Sequence, residues 1–90
     1  MAGVKGHCFL CGRYAQLERH HIFGGALRKK SEKYGLCVEL CHACHNEPPD
    51  GVHFNAENML MLHKYGQQKY MKEQNATKED FMREFYKNYL

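Results

Sequence analysis

Cys8-Phe9-Leu10-Cys11 and Cys41-His42-Ala43-Cys44 form two CxxC pairs, with His20-His21 between them and His45 directly after the second. A CxxC turn presents two sulfurs to one ion, and zinc favours four sulfur or nitrogen donors in a tetrahedron. Cys8, Cys11, Cys41 and Cys44, with 29 residues between the pairs, therefore read as a structural zinc set. Four sulfurs complete that coordination. The imidazoles of His20, His21, His45 and His53 are left for other chemistry.

The chain has 90 residues, enough for a single domain with a small core. A domain of this size buries only about 60% of its unfolded surface and needs a staple. Disulfides would require an oxidising compartment, yet the opening residues carry no apolar leader. No apolar run approaches the ~20 residues that cross a bilayer, so no membrane partner is expected. An odd cysteine count in CxxC spacing fits a metal staple in a cytoplasmic protein. The fifth thiol, Cys37, is expected to be a small buried apolar residue.

Formal charge is +3. Four thiolates and one divalent ion would reduce that by two, so overall charge argues only weakly for a polyanionic partner. Placement says more. Arg28, Lys29, Lys30 and Lys33 cluster just after the histidine pair, where a basic loop over residues 26–34 would suit phosphate contacts.

The pattern predicts an α+β fold, with a small zinc-stapled core over residues 7–54 and a C-terminal helical clamp over 55–90. Residues 1–6 read as a loose lead-in. Residues 16–23 read as one strand, and 35–40, where Leu36, Val38 and Leu40 alternate with Cys37 and Glu39, as a second. The second knuckle opens a short helix stopped near Pro48-Pro49-Asp50-Gly51. Asn55 caps a helix over about 56–74, with Met59, Met61, Leu62 and Tyr65 on one side. Thr77-Lys-Glu-Asp80 resembles a capping box ahead of an apolar stripe from Phe81, Met82, Phe85, Tyr86 and Tyr89, which reads as core.

Closing both knuckles on one zinc would pair the two strands and draw His20 towards His45. A second divalent ion could then take His20 and His45, with His53 as third donor. Successive strand residues face opposite ways, so His20 and His21 serve different roles. His21 suits a general base for activating water at neutral pH, and Arg19 suits stabilisation of charge on phosphorus. His7, His42 and His63 read as knuckle-flanking or exposed residues.

Cys8-x2-Cys11, then Glu18-Arg19-His20-His21-Ile22, then Leu40-Cys41-x2-Cys44-His45, resembles the His-Asn-His (HNH, ββα-metal) endonucleases of the zinc-knuckle type, many from phages or prophages. The resemblance covers residues 7–54. It implies a ββα core, double-stranded DNA as substrate, and one catalytic divalent ion, which is magnesium, manganese, zinc or nickel. His21 matches the family's base, while His20 and His45 match metal ligands. The chain departs from the pattern at the middle Asn, where it reads Tyr34-Gly35-Leu36-Cys37. A backbone carbonyl or Asn46 is then expected to orient His21.

Three functions follow: a DNA endonuclease, a non-catalytic zinc module binding nucleic acid through its basic loop, or a zinc adaptor docking a protein through exposed C-terminal aromatics. Within these 90 residues no separate DNA-reading module is expected. Little intrinsic specificity is expected, or specificity borrowed from a phage-machinery partner or a homodimer.

Overall fold

The computed structural model describes residues 4–49 and 51–90. Residues 1–3 of the expected lead-in and Asp50 of the expected turn lie outside them. Elements run β1 (Lys5–His7), β2 (Tyr14–His21), a 3-10 turn (Gly25–Leu27), α1 (Arg28–Tyr34), β3 (Cys37–Cys41), α2 (His42–Asn46), α3 (Ala56–Glu73) and α4 (Lys78–Phe85). The fold is α+β, as the sequence pattern predicts. It forms two compact units, Met1–His20 with Cys37–Met59, and His21–Leu36 with Leu60–Leu90.

In the first unit the strands form one sheet in the order β1-β2-β3. β1 and β2 are antiparallel, pairing Lys5 with Gln16 and His7 with Tyr14. The lead-in therefore becomes a strand at Lys5, because the first knuckle folds the chain back and gives its backbone a partner. Gly12, at φ +76°, closes that knuckle, its N–H donating to the Cys8 carbonyl at 2.9 Å. A left-handed conformation of this kind favours glycine. The Phe9 amide donates to the Glu39 carbonyl at 3.0 Å, tying the knuckle to β3. The buried apolar set is small: Leu17, Val38, Leu40 and Val52, together with Cys8, Cys41 and Cys44.

The second unit has a larger and mostly aromatic core. Phe23, Phe81 and Phe85 are almost fully buried, with Phe23–Phe85 and Phe81–Phe85 ring centroids each 4.7 Å apart. Gly66 admits this packing. A side chain there would begin 2.8 Å from Ile22 Cγ2 and 2.9 Å from Phe23 Cε2. Buried Ser31 accepts from the Phe23 amide at 3.0 Å and donates to the Phe23 carbonyl at 2.8 Å. Both polar groups of one core residue are thereby satisfied away from water.

Residues 26–34 do not form the expected loop. Arg28–Tyr34 is a helix, ended by Gly35 in the left-handed conformation at φ +69°. Arg, Lys and Glu are good helix formers, and Gly is the common residue after a helix end. The run of positive charge obscured both signals.

Asn55 caps α3 through its side-chain oxygen, which accepts from the Asn58 amide at 3.0 Å. The capping box of α4 forms in both directions between Thr77 and Asp80. The expected inward face of α3 is corrected: Leu62, Gly66, Gln67 and Tyr70 are buried, whereas Met61 and Tyr65 are exposed. Along the C-terminal stripe, Phe81 and Phe85 are core, but Met82 and Tyr86 are exposed. Cys37 is half-buried rather than buried.

Candidate metal centres and their histidines

Two groups of side chains that could hold a metal ion fall wholly within the first unit. The ligand atoms of Cys8, Cys11, Cys41 and Cys44 lie within 4.8 Å of one another, close enough to hold a metal ion. Cys11 and Cys41 sulfurs are 3.7 Å apart. A tetrahedron with metal–sulfur bonds of about 2.3 Å has edges of about 3.8 Å, so this spacing fits the group. The thiol chemistry fits as well. Burial pushes the Cys8 thiol up, but backbone amides of Cys11, Cys41 and Leu10 outweigh it and bring the pKa to about 6. Burial, followed by the neighbouring sulfurs, pushes the Cys44 thiol up. A metal ion binds cysteine as thiolate, so a bound cation would favour that form at each of these sulfurs.

The second cluster is His20, His45 and His53, whose donor nitrogens also lie within 4.8 Å of one another. Ring centroids are 5.2 Å apart for His20–His45, 5.5 Å for His20–His53 and 5.0 Å for His45–His53. Each comes from a different element. His20 is buried near the end of β2, and His45 sits in α2 directly after the knuckle cysteine Cys44. His53 follows a tight return in which the Gly51 amide donates to Glu47 O at 2.6 Å and the Val52 amide donates to Cys44 O at 2.8 Å. Only glycine fits at position 51, because a Cβ would lie 2.6 Å from Glu47 O and 2.7 Å from Glu47 N. Exposure grades from buried His20 through half-buried His45 to exposed His53.

Glu18 joins this group, a residue to which the sequence reading gave no role. Its Oε1 accepts from His45 Nδ1 at 2.8 Å and from Asn46 Nδ2 at 3.1 Å, while Oε2 accepts from His42 Nδ1 at 2.9 Å. Asn46 Nδ2 also lies 3.1 Å from His45 Nδ1. An ionised carboxylate only accepts, so His45 Nδ1 carries a proton and cannot accept from Asn46. The hydrogen bond from His45, then that from His42, holds the Glu18 carboxyl below its usual range. The bond to Glu18 raises His42 in turn. The signal was available in the sequence: Glu18 stands two residues before His20, so strand alternation puts both on one face.

In the second unit, His21 Nε2 donates to Glu32 Oε1 at 2.8 Å. Glu32 is the observed partner, whereas Asn46 donates to Glu18, which corrects the expected bracing of His21. Glu32 lies on α1, and the pairing depends on that segment being helical. Of the four basic residues, Lys30 donates to Glu84 O at 2.6 Å and lies 5.0 Å over the Tyr86 ring. Lys33 lies 5.2 Å over the Tyr34 ring, while Arg28 and Lys29 are exposed. Arg19 is exposed on β2. His63 is half-buried and stacked on Phe23 at 5.3 Å, not a surface residue. His7 is exposed, with Nδ1 3.0 Å from Gly12 O.

No protein family, curated protein or solved structure matches the chain. Among the described residues, no helix is long and apolar enough to cross a membrane.

Proposed function

We propose that the chain is a metal-dependent endonuclease of the HNH type, hydrolysing DNA phosphodiester bonds, with zinc in the four-cysteine cluster. The observation carrying this reading is the trio His20, His45 and His53, held within 4.8 Å in the same unit as a separate four-sulfur cluster. Sulfur clusters with four donors are closed and structural, whereas three imidazoles leave positions for substrate and water. A divalent ion there, whether magnesium, manganese, nickel or zinc, would supply Lewis acidity to a phosphoryl oxygen and charge neutralisation to the leaving alkoxide.

The remaining steps belong to the side chains. His21 follows His20 in the chain, and its Nε2–H is engaged by Glu32. That bond fixes the tautomer with the lone pair on Nδ1, the form that removes a proton from water. The water oxygen bonds to phosphorus as the bond to the 3′ oxygen breaks, and that oxygen takes a proton from solvent, leaving 5′-phosphate and 3′-hydroxyl ends. Arg19 stabilises the added negative charge on phosphorus. Phosphate contacts fall to Arg28, Lys29, Lys30 and Lys33 of the basic second unit. It carries ten of the thirteen Lys and Arg residues but only five of the ten acids, a formal +5.

The test is nicking of supercoiled plasmid by zinc-loaded protein with magnesium or manganese, wild type beside His21→Ala. Nicking is expected in the wild type and a loss of at least about 100-fold in the variant, the range for removing a general base. Equal nicking in both would remove His21 from the mechanism. The positive charge of the second unit favours one other reading, a zinc module that binds nucleic acid without cutting it. Salt-sensitive binding with no cleavage under any of these ions would select that reading.

A further inference from the structure

Glu18 is placed to decide how well the imidazole trio takes a cation. It belongs to β2, two residues from His20, and its carboxylate gathers donors from three side chains of the second knuckle. An imidazole has two nitrogens, and only the one without hydrogen can donate to a metal. By accepting the Nδ1 proton of His45 at 2.8 Å, Glu18 holds that ring in the tautomer with the lone pair on Nε2. Asn46 donates to the same Oε1, and His42 holds Oε2, so the carboxylate is fixed at both oxygens. His42 is in turn 3.4 Å from Glu47 through Nε2, which orients it from the far side.

We propose that Glu18 is a positioning residue for a divalent-cation site formed by His20, His45 and His53. It fixes the tautomer and direction of His45 and adds a negative charge one imidazole away from the cation. This deepens the endonuclease reading and rests on those three histidines being the cation site. Glu18 donates no electron pair to the ion. Its side chain is 38% exposed, so its removal leaves little buried volume unfilled.

The experiment uses full-length protein with one zinc held by the cysteines, titrated with manganese or cobalt by calorimetry. Glu18→Ala is expected to weaken binding at the second site by about 10–100-fold, while zinc content stays at one equivalent. Glu18→Gln keeps the shape and one acceptor oxygen but no charge, and should fall between wild type and Glu18→Ala. Long-range proton–nitrogen correlation spectra of the trio without the second ion give an independent readout. Wild type is expected to show His45 as the single Nδ1–H tautomer, and Glu18→Ala a mixture.

Unchanged affinity and an unchanged tautomer in Glu18→Ala, with affinity lost in His45→Ala, would overturn the role of Glu18 alone. Unchanged affinity in both His45→Ala and His53→Ala would overturn the cation site itself. If Glu18→Ala loses zinc, Glu18→Gln decides. Wild-type affinity together with the wild-type tautomer in that variant refutes a role for the charge.

Discussion

The two units of this small chain reach order by different means. The first has a thin apolar core and two side-chain clusters that could hold a metal ion, whereas the second, which contains no such cluster whole among the described residues, has a core of interlocked aromatic rings. Packing specifies a structure through many weak contacts, and losing one contact costs a fraction of the total. A metal ion held by the four cysteines would specify it through four bonds, and losing one could cost nearly all. The first unit should therefore respond to chelators and the second to changes in volume.

On the proposed reading, removing zinc from the four-cysteine cluster is the strongest challenge to that contrast. Structural zinc sites contribute on the order of 10–16 kcal/mol of apparent binding free energy. Cys44→Ser, or a strong chelator, is expected to abolish cation binding by the His20 trio. Five of the six tyrosines lie in the second unit, so near-ultraviolet circular dichroism reports mainly on it and should change far less. Equal collapse of both signals would break the comparison.

Next in size are the core substitutions. Phe81→Ala or Phe85→Ala should cost about 3–5 kcal/mol in denaturant unfolding followed by that tyrosine signal, with zinc content unchanged. Gly66→Ala acts from the opposite direction, by overfilling. The new methyl meets Ile22 and Phe23 side chains that can shift, for a cost of about 1–3 kcal/mol.

Acid provides a finer probe. Burial lowers the pKa of His63 from its ordinary 6.5, and the nearby Lys87 charge adds to the effect, against an opposing backbone hydrogen bond at Ile22. The unfolded chain then takes up a proton at this site more readily than the folded one. The stability of the second unit should fall as pH drops below about 6.5, until the folded-state value is passed. His63→Gln should flatten that slope in unfolding curves recorded between neutral and mildly acidic pH. The smallest effect is expected from Thr77→Ala, about 1 kcal/mol from the lost α4 cap, read as a shift in the unfolding midpoint.

The sequence disclosed the parts that depend on spacing. Both knuckles, the strands bearing His20 and Leu40, the caps at Asn55 and Thr77, and the approach of His45 to His20 follow from residue order alone. It disclosed less where identity and context compete. Arg28-Lys29-Lys30 presents as a solvated run by charge, yet its residues favour helix, and burial of Ser31 on the inner side of α1 settles the matter. Glu18 and Glu32 were obscured for a related reason. A carboxylate near histidines is informative only once the fold shows which imidazole nitrogen it meets.

Gly51 carries no side-chain donor atom, yet it sets where the third imidazole starts. Because its α-carbon lies against the Glu47 backbone, any larger residue would push His53 outward and widen the gap between donors. If the trio takes a cation as proposed, its radius would be selected from a position with no side-chain donor atom, and residue 51 would be a handle for tuning metal preference without altering any of the three histidines.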